Sequence, residues 1–163
     1  MFLGQKLALK VDQLGIVVPE LEGTMDAYFA NFGVRFQVFE VDETISQFSG
    51  STRRFRVRFG LGQLTSLSIE LIQPVSGRTI HQEFLKQKGP GVHHLGFYTL
   101  NLNAARRKLD NRRYKVLMTG RIDGVAEFAY YDAHDMHSII EPLKLSTQLP
   151  AFLARHASTY PEI

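Results

Sequence analysis

Hydrophobic and polar positions follow two rhythms along this chain. Val11-Asp12-Gln13-Leu14-Gly15-Ile16-Val17-Val18 is a β-rich run closed by Pro19 and predicts a strand. Leu21, Met25, Tyr28, Phe29 and Phe32 then recur at helical spacing, with Gly33 as the stop. Residues 34–41 alternate as a second strand, and 42–52, mostly polar with Gly50, predict a loop. Residues 53–59 alternate basic with apolar. Residues 66–72 alternate serine with Leu67, Ile69 and Leu71. The first half therefore predicts a strand, a helix and three strands.

Residues 74–91 read as a connector carrying Gly77, Gly89 and Pro90, with a short helix around 80–86. The order then begins again. Residues 92–98 predict a strand, 102–109 a helix with Ala104, Ala105 and Leu109 inward, and 114–118, 127–131 and 138–143 three strands. A loop and a short helix at 151–156 end the chain. Gln13-Leu14-Gly15-Ile16 lies over His94-Leu95-Gly96-Phe97, and Leu21 lies over Leu102 at the same offset. Ser68-Ile69-Glu70-Leu71 lies over Ile139-Ile140-Glu141-Pro142. An internal repeat of this kind decides architecture before any single element does. One domain over 1–163 is expected, with module one at about 10–74, a connector at 75–90, module two at about 91–145 and a tail at 146–163. The second module is the shorter, mostly in the loop after its second strand.

Composition narrows the chemistry. With 163 residues the chain can bury a core without staples. Cysteine is absent, which excludes disulfides, thiolate zinc sites, iron–sulfur clusters and cysteine nucleophiles. Any metal must be held by His, carboxylate or amide oxygen. A net charge of +3 suits an anionic ligand but is too small to argue for nucleic acid. No apolar run is long enough to span a bilayer, and the start is too weakly apolar for a secretory signal. A soluble, cytoplasmic protein with a small-molecule substrate, no nucleic acid and no membrane partner is expected.

The repeat brings four polar residues into register: Gln13, Glu70, His94 and Glu141. Side chains alternate faces along a strand. If Leu14, Ile16, Ile69, Leu71, Leu95 and Phe97 pack on helices, each of these polar residues points to the uncovered face. His93 then points to the helix side as a structural residue, and Tyr98 shares the face of His94. A lone polar residue near a strand end is ordinarily just solvated; four at equivalent positions form a mixed nitrogen/oxygen set suited to one divalent ion (Zn, Ni, Co, Mn or Fe). Arg54, Arg56 and Arg58 alternate with Phe55, Val57 and Phe59. If the aromatics pack on the helix, three guanidinium groups face the site and suit carboxylate or phosphate; otherwise they form a solvated outer face. His137 shares the parity of Glu141 and lies at the rim or in solvent.

Residues 11–18, Ile69-Glu70-Leu71-Ile72-Gln73-Pro74 and Gly89-Pro90-Gly91-Val92-His93-His94-Leu95-Gly96-Phe97 resemble the vicinal oxygen chelate superfamily. That superfamily includes glyoxalase I, methylmalonyl-CoA epimerase, extradiol dioxygenases and bleomycin-resistance proteins, and the layout is most similar to the epimerases. The resemblance implies an α+β fold in which two βαβββ modules form an open, cup-shaped mixed sheet with helices on the outer face. The cup forms within one chain or across a dimer, and a homodimer is expected. The resemblance puts metal ligands at Gln13, Glu70, His94 and Glu141, with Glu141 and Glu70 as the catalytic bases. Gln13 stands where epimerases usually have histidine, and no acidic base is visible on the arginine strand. Arg54, Arg56, Arg58, Tyr98 and His137 are the expected substrate-binding residues. The function implied is a metal-dependent lyase or isomerase of the glyoxalase/epimerase type, stabilising an enediolate of a small oxygenated, anionic substrate. The alternative is a non-catalytic ligand- or antibiotic-binding protein.

Overall fold

A computed structural model describes residues 9–42, 45–48 and 51–162. The expectation about a leader falls on residues 1–8 and lies outside the described residues. The first repeat consists of β1 (Gln13–Val17), α1 (Glu22–Phe32), β2 (Phe36–Asp42), a hairpin of β3 (Ile45–Phe48) and β4 (Ser51–Arg53), β5 (Arg56–Leu64) and β6 (Leu67–Ser76). After α2 (Ile80–Lys88) come β7 (Gly91–Tyr98), α3 (Leu102–Asp110), β8 (Lys115–Ile122), β9 (Ala126–Ala133) and β10 (Ser138–Leu145). The chain ends in α4 (Leu149–His156) and β11 (Ser158–Tyr160). Among the described residues no helix is long and apolar enough to cross a membrane.

The strands form one sheet in the order β11-β2-β5-β6-β1-β7-β10-β9-β8-β3-β4. Its centre is symmetric. β1 runs parallel to β6, β7 runs parallel to β10, and β1 meets β7 antiparallel. The two modules thus join edge to edge inside a single chain, and the sheet curls into a cup.

Three apolar clusters follow from the alternation. Ile69 and Leu71 turn outward to pack with Leu21 and Met25 of α1. Phe97 and Ile140 turn outward to pack with Leu109 of α3. The third cluster fills the concave side with Phe39, Val57, Phe59, Met118, Phe128 and Leu143. α1 stops where Gly33 takes a left-handed φ of 69° and its N–H donates to the Phe29 carbonyl. α2 starts at Thr79, whose buried side chain accepts from the Gln82 N–H at 3.1 Å, a cap worth about 1 kcal/mol. This helix lies across β1, β6 and β7 on the concave side.

Two elements depart from the sequence expectation. Residues 45–48 and 51–52, expected as loop, join Arg53 in a hairpin whose first strand pairs antiparallel with β8, from Ile45↔Arg121 to Phe48↔Met118. Its hydrogen bonds come from the other module, so no local pattern announces it; positions 43, 44, 49 and 50 of that expected loop lie outside the described residues. The tail also does more than form a short helix. β11 adds to the edge of β2, and Phe152 of α4 packs edge-on against Phe39 at 5.5 Å, which roofs part of the cup.

Candidate functional site

Gln13, Glu70, His94 and Glu141 project from the four central strands, β1, β6, β7 and β10, and meet at the floor of the cup. The seam between the modules explains how they fit. Gln13 pairs with Gly96 and Gly15 pairs with His94, so each polar side chain crosses over a glycine of the opposite strand. A Cβ on Gly96 would stand 2.7 Å from Gln13 Oε1, and a Cβ on Gly15 would fall inside the His94 ring. Only glycine leaves this room.

Charge at the floor is concentrated and dry. His94 is fully buried; its Nε2 lies 3.0 Å from Glu141 Oε2 and 3.5 Å from Glu70 Oε2. Burial and then the Glu141 carboxylate push the Glu70 pKa up to about 8, against a smaller downward pull from His94. Burial opposes the charged form of His94, but the Glu141 and Glu70 carboxylates outweigh it and raise its pKa. Tyr130 is neutral: burial, then Glu141 and Glu70, hold its pKa well above the ordinary value, and it shares a hydrogen bond with Glu141.

Gln13 Oε1 and Glu70 Oε2 are buried with no hydrogen-bond partner, and His94 Nε2 and Glu141 Oε2, 3.0 Å apart, face each other across the floor. Buried polar atoms are ordinarily satisfied, and leaving one unpaired costs about 1–3 kcal/mol. The reactive atoms of Glu70, His94 and Glu141 lie within 4.8 Å of one another. A divalent cation among these three atoms would offset the two carboxylates, and the buried, unpartnered Gln13 Oε1 is an oxygen of the kind such an ion takes. The residues therefore fit such an ion.

Three further residues at the floor were not foreseen as site residues. A β-bulge opposite Gly15/Ile16 gives β7 one extra residue, so His93 turns inward beside His94 and not toward the outer helix as its parity predicts. Its Nδ1 lies 3.1 Å from His94 Nδ1, which leaves His94 Nε2 free for the floor. His81 of α2 stacks near His93, with ring centroids 4.7 Å apart, and both its nitrogens are buried without partners. Burial, then His94, lowers the His81 pKa to about 3; burial, with smaller contributions from His81, His94 and Lys88, lowers that of His93. The third residue is Tyr130, whose ring stands 5.0 Å from that of His94. Above this floor a cavity of about 340 Å³ opens, lined by Gln13, Glu70, Glu141, His81, Tyr98 and Tyr130 together with apolar side chains from both modules.

Residues 12–131 match the family model for the glyoxalase/bleomycin resistance protein/dioxygenase superfamily. The chain belongs to that superfamily. Several solved structures share its fold at low sequence identity. Methylmalonyl-CoA epimerase from Mycobacterium tuberculosis is 21% identical with a TM-score of 0.64, and the alignment covers 92% of this chain and 97% of that one. A Streptomyces coelicolor methylmalonyl-CoA epimerase variant in complex with 2-nitronate-propionyl-CoA is 20% identical with a TM-score of 0.63, covering 85% and 96%. A hypothetical protein from Bacillus halodurans is 14% identical with a TM-score of 0.63, covering 85% and 96%. Comparison with curated protein sequences gives no match.

Within this superfamily fold, the arginine strand is reversed from its expected orientation. Phe55, Val57 and Phe59 line the cavity, while Arg54, Arg56 and Arg58 point to the outer face. Arg54 lies 3.7 Å from Asp42 and Arg56 lies 3.4 Å from Glu40, both exposed. Arg58 donates to Glu22 of α1 at 2.6 Å and to Gln73 at 3.0 Å, and that hydrogen bond holds the Glu22 carboxyl below its ordinary range. The cause is register: Leu61 pairs with Glu70 across β5 and β6, which puts the odd-numbered residues of β5 on the cavity face. Arg58→Ala should therefore lower stability by about 1 kcal/mol or less, as for a half-exposed pair, and leave metal affinity unchanged; denaturant melts and metal titrations check both.

His137 is also removed from the site. It takes a left-handed φ of 50° after a 3₁₀ turn at His134–Met136, so the alternation does not reach it, and it is exposed away from the cavity. Tyr98 does line the cavity, with its hydroxyl 3.1 Å from Ser68 Oγ.

Proposed function

We propose that this protein is a metal-dependent isomerase or lyase of the glyoxalase/epimerase type, in which Gln13, Glu70, His94 and Glu141 hold one divalent ion. The observation that carries this reading is the buried cluster in which ligand-type atoms of Glu70, His94 and Glu141 lie within 4.8 Å of one another, with Gln13 Oε1 and Glu70 Oε2 lacking any hydrogen-bond partner. The donor set of amide oxygen, imidazole and two carboxylates suits Zn, Ni, Co, Mn or Fe. A divalent ion held there supplies Lewis-acid stabilisation of negative charge developing on the substrate oxygens.

The chain's own residues supply the proton chemistry. Glu70 and Glu141 reach the cavity from β6 and β10, and so stand on different strands around whatever carbon lies above the floor. Proton removal from the carbon beside a carbonyl needs a carboxylate there, and return of the proton needs a carboxylic acid; two glutamates provide one of each. His93 supports the tautomer of His94 through the contact between their Nδ1 atoms. The family resemblance extends this reading to a homodimer in the cytoplasm.

Proton exchange tests the chemistry without knowledge of the product. Metal-loaded protein in D₂O, followed by NMR, should exchange the α-proton of a hemithioacetal or an acyl thioester, and Glu141→Gln should lose that exchange. The apolar cavity favours a second reading, a ligand-binding protein without catalysis. That reading is supported if ligands bind the metal-loaded protein but no α-proton exchanges.

A further inference from the structure

The cavity is divided chemically. Both glutamates and His81 face it at the floor, and Arg35, Gln37, Gln63 and Ser68 add polar groups elsewhere in its lining. Its walls are Phe39, Val57 and Phe59 from one module and Met118, Phe128 and Leu143 from the other, all buried and part of one apolar cluster. The three arginines that would have made it an anion site face the opposite side of the sheet. Among the described residues lining the cavity the single cation is Arg35. Its guanidinium lies over the Phe29 ring at 5.2 Å and donates to the Pro161 carbonyl at 3.1 Å, so it is engaged with α1 and the tail.

We propose that the cavity selects a substrate with two unlike ends: adjacent carbonyl or hydroxyl oxygens directed at the floor, and an uncharged aryl or branched-alkyl body packed between the two apolar walls. A volume of about 340 Å³ holds a body of this kind, at the small end of the usual range for ligand pockets. An acidic or phosphorylated body would enter a low-dielectric space where the apolar walls offer it no cation and Arg35 is already engaged with Phe29 and the tail. Apolar surface buried against these walls supplies affinity in proportion to its area. The oxygen end of this proposal rests on the metal-site reading; the apolar end does not.

Metal-free, full-length protein separates the two. N-phenyl-1-naphthylamine, a neutral fluorophore that brightens in apolar sites, should bind saturably at one molecule per chain. 1-Phenyl-1,2-propanedione should displace it at concentrations at least tenfold below 2,3-butanedione, which has the same oxygens and no ring. Coenzyme A and inorganic phosphate should not displace it. Val57→Phe, which fills the cavity, should weaken the fluorophore at least tenfold, while Arg56→Ala on the outer face should leave it unchanged. Leu149→Phe on the roof helix gives the same comparison if Val57→Phe fails to fold. Equal competition by the two diones, displacement by coenzyme A, or absence of a saturable site would overturn the proposal, whatever a separate metal titration finds.

Discussion

Gly15→Ala should fold and yet lose its metal site. The added Cβ would occupy the place of the His94 ring, whose strand is fixed on both sides by β1 and β10. The backbone cannot give way at the seam between two modules, so the imidazole must leave its rotamer. Overpacking of this kind costs about 1–3 kcal/mol, and each kcal/mol shifts Tm by about 2–4 °C in a chain of this size. The larger effect falls on binding. With Nε2 turned from the floor, affinity for a divalent ion should fall by about 100-fold or more, at least the upper range for loss of an orienting partner. A melt and a metal titration on the same sample check this. Parent-like metal affinity would mean that His94 is not a ligand.

Glu141→Gln should uncouple metal binding from stability. It keeps the side-chain volume and an oxygen for Tyr130 while removing one of the two buried charges. Metal affinity should fall at least 10-fold, because one carboxylate no longer offsets the divalent charge. Without metal the effect on pH dependence runs the other way. In the parent, Glu70 and His94 have raised pKa values in the folded state, so their contribution to stability is lost as pH rises. His81 and His93 have lowered values, so their contribution is lost as pH falls below the ordinary histidine value of 6.5. Above pH 6.5 the effect of the second pair fades while that of the first continues to about pH 8, so metal-free parent protein should lose stability across that window. Glu141 raises both members of that pair, so Glu141→Gln should flatten the loss. Urea melts at pH 6.5 and 8 with a chelator present measure it; an equal slope in the variant would remove Glu141 from the electrostatics of the floor.

The four floor residues were legible because the repeat supplied what a single strand cannot. Parity says that Gln13 and Leu14 face opposite ways, and Leu14 over Leu95 says which of them meets a helix. The arginine strand lacked that help, because β5 has apolar neighbours on both faces: α1 outside and the opposite wall of the cup inside. One signal could have decided it. The tight turn at Thr65-Ser66, where Thr65 takes a φ of 52°, pairs Leu64 with Leu67 and so places Leu61 opposite Glu70. Strand parity misplaces His93 because a bulge in β7 breaks the alternation there. His81 belongs to a helix whose placement across the cup depends on tertiary packing, and its two apolar flanks, Ile80 and Phe84, read as an ordinary amphipathic turn. The hairpin at residues 45–53 likewise owes its pairing to the second module.

Turning the arginines outward changes the chemistry more than any other difference. An anion-binding cup becomes an apolar one, and the two glutamates at its floor are left as its dominant charge. Without a cation between them, burial and Glu141 force the Glu70 pKa up to about 8, and Gln13 Oε1 and Glu70 Oε2 are left without a hydrogen-bond partner. Elemental analysis therefore bears on the account most directly. Protein stripped with chelator, reconstituted in turn with Zn, Ni, Co, Mn and Fe(II) and desalted, is predicted to retain one divalent ion per chain, with retention lost in Glu141→Gln and His94→Ala. No retained ion with any of the five metals, or an equal amount retained by both variants, would contradict it.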